Sequence, residues 1–257
     1  MKITVLTLFP ELFDGIIHTS VIARSREKGI VETEFVQIRD FSKDVHRRVD
    51  DTPFGGGAGM VMTCQPVFDA LRSVRTENSH VVLLSASGSP YTQKKAHAYA
   101  GMEHLILLCG HYEGVDERIA EQCDEAVSVG DYVLTGGEPG AIIIMDSVIR
   151  LLPGAIRSES TEEESYENGL LEYPQYTHPA VYEGRAVPEI LLSGHHENIR
   201  KWRLKQSLKR TRERRPDLYE KHVFTKEEKK IAKALGEEGF CKIRGGPEGD
   251  LPGERNK

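Results

Sequence analysis

Three parts of the chain carry residue types and spacings suited to chemistry. The first is Asp50-Asp51-Thr52-Pro53-Phe54-Gly55-Gly56-Gly57-Ala58-Gly59-Met60, with four glycines in the five positions 55–59 beside paired aspartates. Such a backbone reaches positive φ and can wrap a phosphate or a base; a flexible turn is the alternative. It is not a Walker loop, since no GK[ST] follows, and no GxGxxG stands between a strand and a helix. The second part comprises Leu84 to Gly88, Cys109 to Arg118 and Val129 to Glu138, all rich in glycine and polar residues. Each follows the carboxyl end of a strand-like run, the edge where open α/β sheets hold their ligands. Any one alone reads as a tight turn, but three together imply a pocket whose backbone groups reach an adenine or a carboxylate. The third part, His195 to Arg215, has nine Lys or Arg against two Glu and contains the only Trp. A basic helix in an acidic protein is the footprint expected for a phosphate backbone, with a solvated helix face as the alternative. Trp202, Leu204 and Leu208 give too narrow an apolar stripe for a membrane-surface helix.

His111 lies in no HExxH or Cys/His pattern, so zinc is not expected. Glu113 and Asp116 could neutralise a cation or hold a helix start, where carboxylates are favoured.

The elements that must position these segments follow from hydrophobic pattern. Strand-like runs at 3–9, 30–38, 80–85, 105–109 and 126–129 alternate with helix-like stretches at 11–28, 66–75, 92–100 and 115–122. That rhythm belongs to an α/β layer with a mainly parallel sheet. Val81-Val82-Leu83-Leu84 and Leu105-Ile106-Leu107-Leu108 are apolar on consecutive residues, as central strands covered on both faces should be. A helix over 141–152 ends at Pro153-Gly154, closing a first domain over 1–156. Residues 157–168 carry Glu159, Glu162, Glu163, Glu164 and Glu167 with almost nothing to bury, which predicts a mobile linker. A small helical domain over 169–236 and a frayed tail over 237–257 complete the expected organisation.

The chain has 257 residues, a formal charge of -6 and 39% hydrophobic residues, enough for a real core and against disorder throughout. No apolar run approaches the ~20 residues of a bilayer helix, and the start lacks a signal-peptide pattern, so no membrane partner and a cytoplasmic location are expected. Cys64, Cys109, Cys123 and Cys241 form no CxxC pair and read as reduced thiols.

Taken together, Val49 to Met60, Cys109 to Arg118, Val129 to Glu138, Gly169 to Thr177 and Trp202 to Leu208 closely resemble the bacterial tRNA (guanine-N1)-methyltransferase family, the TrmD family of the SPOUT superfamily. The likeness runs in order from Met1 to about Leu235. It implies a trefoil-knotted α/β domain, a small helical tRNA-binding domain and a homodimer with interfacial active sites. It implies S-adenosyl-L-methionine as methyl donor and N1 of guanosine 37, beside the anticodon, as acceptor in tRNA. By the same resemblance the cofactor would be held by Leu84, Ser85, Ala86, Gly110, Tyr112, Glu113, Gly114, Val129, Gly130, Tyr132, Leu134, Gly136 and Gly137. The tRNA would meet Asp50, Gly55, Gly56, Gly57, Ser165, His178, Arg200, Lys201, Arg203 and Lys205.

Guanine N1 carries a hydrogen and is a poor nucleophile until a base removes it. The family places an Asp before Ser-Phe in that role; here the stretch reads Glu163-Glu164-Ser165-Tyr166, so Glu164 is the counterpart, with Glu163 and Glu172 as alternatives. Arg150 matches the family's catalytic Arg, suited to the charge developing on O6; without the resemblance it reads as a helix C-terminal cation. The family's metal dependence implies Mg2+ at Glu113. The chain departs from the family at Ser85-Ala86, where Ser-Pro is frequent, and at Tyr176 to Pro179, where an Arg is frequent. The competing readings are a non-catalytic RNA-binding protein, or a knotted methyltransferase acting on another RNA position.

Overall fold

The computed structural model describes residues 1–156 and 164–237. The chain divides into two compact units, Met1–Ser160 and Thr161–Lys257.

In the first unit the order is β1 (Lys2–Thr7), α1 (Asp14–Ile17), α2 (Ser20–Glu27), β2 (Glu32–Gln37), β3 (Asp50–Asp51), β4 (Val61–Met62), α3 (Cys64–Val74), β5 (Ser79–Pro90), α4 (Gln93–Ala100), β6 (His104–Cys109), α5 (Glu117–Ala120), β7 (Glu125–Ser128) and α6 (Glu138–Ile149). Five strands form one parallel sheet in the order β2-β1-β6-β5-β7. Every residue of β6 is buried. Leu105, Leu107 and Cys109 face a core completed by α6 residues Ile144, Met145 and Val148. Ile106 and Leu108 face the opposite core, with Val67, Ala70 and Leu71 of α3 and Ile119 of α5. Strand side chains alternate between faces, so a continuous apolar run is what a sheet covered on both sides requires.

Three elements differ from the pattern-based expectation. The helix expected over 11–28 is broken: a 3-10 turn at Pro10–Phe13 and α1 precede α2, and Thr19 between them is extended. The Thr19 hydroxyl donates to the Gly15 carbonyl, offering the backbone a partner outside the helical ladder. The segment Leu84 to Gly88 is not a free loop but part of β5, whose pairing with β7 shifts register between Leu84 and Ser89. Gly88 makes that return possible, because a Cβ there would lie 2.4 Å from the Val127 backbone nitrogen. Helix α5 is shorter than expected: Val115 bridges to Met62, and the Asp116 carboxylate caps the turn by accepting from the Arg118 backbone N–H at 3.0 Å.

The second unit contains β8 (Val181–Tyr182), β9 (Arg185–Ala186), α7 (Glu189–Leu192), α8 (His196–Arg214), α9 (Pro216–Lys221) and α10 (Lys226–Glu237). Its core is Leu170, Leu208 and Leu235, with Leu204, Tyr219, Phe224 and Ile231 against it. Of the acidic stretch expected as a linker, 157–163 lies outside the described residues. Residues 164–170 make a turn in which Tyr166 N–H donates to the Leu170 carbonyl at 2.8 Å. The tail from 238 onward also lies outside the described residues.

Candidate active site

The stretch Leu84 to Ser87 within β5 and the segments that follow β6 and β7 line one cavity of about 330 Å3 at the carboxyl edge of the sheet. All thirteen residues expected at the cofactor, from Leu84 to Gly137, are in its wall, together with His111, Ser128 and Thr135. The walls touch through backbone. Gly137 N–H donates to the Gly110 carbonyl at 2.8 Å, and a Cβ on Gly137 would sit 2.7 Å from the Cys109 Cα. Only glycine allows the α6 start to approach the end of β6 so closely.

The glycine-rich segment 55–59 joins the same region. It is the tip of the β3–β4 hairpin, whose register pairs Asp50 with Met62 and Asp51 with Val61. Met62 N–H donates to the Gly114 carbonyl and Glu113 N–H to the Met60 carbonyl, each at 3.0 Å. Gly55, Gly56 and Gly57 are exposed and all have positive φ; Asp50 is half-buried. The Glu113 side chain lies directly over Gly59. Arg39 donates to the Tyr112 hydroxyl at 3.1 Å.

Beneath the cavity is a buried carboxylate. Glu138 is 2% exposed and its Oε1 accepts from the Thr7 hydroxyl at 2.7 Å. Thr7 itself accepts from the Phe9 N–H at 3.0 Å. Burial pushes the Cys109 thiol well above its ordinary pKa, and the neighbouring Glu138 adds to that. His111 packs its ring 5.1 Å from Phe9 and 4.9 Å from Tyr112, and its buried Nδ1 has no hydrogen-bond partner among the described residues. Sequence reasoning gave Thr7 and Glu138 no role; the glycine pair before Glu138 marks a close approach, but its partner lies 131 positions away.

The remaining candidates are distributed over both units. Arg150 caps α6, half-buried, with its N–H on the Asp146 carbonyl. Glu164 and Ser165 are half-buried in the second unit, where the Ser165 hydroxyl accepts from the Glu172 N–H at 3.0 Å. Glu163 lies outside the described residues. His178 is exposed. On α8, Arg200 pairs with Glu197 and Glu227 at 3.0 and 2.7 Å, and Lys201 pairs with Glu197 at 3.3 Å. Arg200 and then Lys201 hold the Glu197 carboxyl down to about 2. The Arg203 guanidinium stacks 4.7 Å from the Tyr173 ring centre. Lys205 is half-buried. Among the described residues no group of three or more His, Cys, Asp or Glu is placed to hold a metal ion, so the Mg2+ expected at Glu113 finds no such ligand set. No helix among them is long and apolar enough to cross a membrane.

A parallel α/β sheet with a glycine-walled cavity at its carboxyl edge defines a domain of the class that holds a small-molecule ligand at that edge. The particular family is shown by comparison: residues 1–221 match the model of tRNA (Guanine-1)-methyltransferase TrmD, and the chain belongs to that family. Among similar proteins, the tRNA (guanine-N(1)-)-methyltransferase of Ruminiclostridium cellulolyticum is 56% identical over 226 residues, covering 86% of this chain and 97% of its own. Those of Clostridium acetobutylicum and Halalkalibacterium halodurans are 54% and 52% identical, covering 90% and 91% of this chain and 96% and 98% of theirs. The family is enzymatic, which disfavours the non-catalytic reading.

Proposed function

We propose that the protein transfers a methyl group from S-adenosyl-L-methionine to N1 of guanosine 37 in tRNA, acting as a homodimer whose cofactor domain is knotted. The observation that carries the reading is the single cavity walled by all three glycine-rich segments. Its volume suits a small-molecule ligand, and its lining carries few charged side chains. The cofactor supplies an electrophilic methyl carbon; the protein must supply alignment and a base.

Glu164 takes the hydrogen from N1, leaving the electron pair on nitrogen for the methyl carbon. One methylene longer than the Asp it replaces, its carboxylate must still come within hydrogen-bond reach of N1. Arg150 places a guanidinium against the charge that spreads to O6 as N1 loses its proton. Proton removal contributes on the order of 100- to 10,000-fold in rate, and alignment a comparable amount. Glu164→Gln is therefore expected to lower methyl transfer by about that factor while calorimetric titration shows unchanged cofactor affinity. Turnover retained by Glu164→Gln would eliminate the assignment. Mass spectrometry of digested tRNA identifies the modified nucleotide, and methylation elsewhere than N1 of guanosine 37 would refute the stated specificity.

A further inference from the structure

The chain around Glu164 is held in one shape by α8. Glu167 N–H donates to the Glu164 carbonyl at 3.4 Å and Tyr166 N–H to the Leu170 carbonyl at 2.8 Å, closing a turn. Within it Tyr166 has φ +77. A tyrosine in the left-handed region is strained, and such strain persists only where the surroundings over-determine the backbone. Three contacts do so. The Arg215 guanidinium lies 5.8 Å from the Tyr166 ring centre and is itself paired with Asp217 at 2.6 Å. Leu170 is 2% exposed in the core beside Leu208 of α8. Thr211, fully buried in α8, accepts the Leu171 N–H on its hydroxyl at 2.8 Å and donates to the Ser207 carbonyl at 2.7 Å. A hydroxyl has one hydrogen, so the bond to Ser207 commits it and leaves the lone pairs for Leu171. Threonine hydroxyls that bond back to the preceding turn slightly destabilise a helix, so what this one contributes is its hold on Leu171.

We propose that Thr211 is a positioning residue for methyl transfer: by fixing Leu171 it sets where the turn bearing Glu164 presents its carboxylate. This rests on the reading of Glu164 as the base. A Glu carboxylate, with one more rotatable bond than Asp, sweeps a wider volume, so a fixed backbone beneath it counts for more. Thr211 is itself buried and acts only through that backbone.

The test is a cycle of variants in the full-length protein, read by single-turnover methylation of a tRNA transcript carrying guanosine 37 at saturating S-adenosyl-L-methionine. Thr211→Val is close in shape and lacks the acceptor for Leu171. Misplacing a catalytic group by about 1 Å costs on the order of 100-fold, so the rate should fall about 10- to 100-fold. Calorimetric affinities for cofactor and for tRNA should stay at wild-type values. Thr211→Ser, which keeps the hydroxyl, should restore the rate. In a Glu164→Gln background Thr211→Val should have no further effect, since a residue acting through the base has nothing left to position. Amide hydrogen exchange should quicken over 165–172 while α8 stays protected. If α8 also loses protection in Thr211→Val, Ser165→Ala, which removes the acceptor of the Glu172 N–H, carries the same cycle. A wild-type rate in Thr211→Val would overturn the proposal, and so would an equal fall in both backgrounds, the mark of a structural or RNA-binding role. An inactive Glu164→Gln beside a fully active Thr211→Val would remove the role of Thr211 alone; full turnover in Glu164→Gln would remove the base assignment and this role with it.

Discussion

Gly137→Ala tests the packing that closes the cavity. The added Cβ would lie 2.7 Å from the Cys109 Cα, 2.9 Å from the Leu84 Cβ and 3.0 Å from the Gly110 nitrogen. Carbon contacts settle at about 3.5 to 4.0 Å, so roughly 1 Å must open on several sides at once. Two of the three neighbours are backbone, at the end of β6 and just beyond it, and cannot rotate away. Overpacking of this kind costs about 1–3 kcal/mol. For a unit of this size each kcal/mol lowers Tm by about 2–4 °C, giving a drop of roughly 2–12 °C in scanning calorimetry. The Gly137 to Gly110 hydrogen bond joins two cavity walls, so the same shift should misplace one or two ligand contacts. At about 1–1.5 kcal/mol each, cofactor affinity should fall about 5- to 150-fold in calorimetric titration. Gly15→Ala is the control: nothing lies within 4 Å of its Cβ position, and in α1 the change should be neutral or slightly stabilising. If Gly137→Ala matched that control in both Tm and cofactor affinity, the close-approach argument would be wrong.

Thr7→Val keeps shape but removes the hydroxyl that donates to buried Glu138, and should cost about 1–3 kcal/mol in urea unfolding; an unchanged midpoint would show that the carboxylate has another donor. Burial raises the Tyr91 phenol to about 12. Below the ordinary value near 10 both folded and unfolded phenols are protonated; above it only the unfolded one ionises, so stability should fall as pH rises from about 10 to about 12. Tyr91→Phe should make that alkaline loss shallower, read by thermal unfolding against pH, and an identical profile would refute the link. Burial likewise raises the Cys123 thiol to about 11, so Cys123→Ser should leave the rate of thiol labelling at pH 8 unchanged.

Local composition made several features legible without coordinates. Consecutive apolar residues at Leu105 to Leu108 announced a strand covered on both faces, and β6 is the central strand of the sheet. Glycine clusters after three such runs announced a pocket, because the need for close backbone approach is written in the residues themselves. The surplus of cations around Trp202 was equally plain, charge being a property of composition.

What stayed hidden depends on partners far along the chain. The break at Thr19 and the continuation of β5 past Ser85 turn on one hydroxyl and one close contact with β7, neither of which alters hydrophobic periodicity. The order β2-β1-β6-β5-β7, the Thr7 to Glu138 bond and the seat of Leu171 on Thr211 follow from how the elements pack. The amino-acid sequence by itself determined which segments could bury, turn or carry charge. Only the tertiary structure decided which of them share a cavity, because burial and charge density belong to surfaces assembled from residues that are not neighbours in the chain.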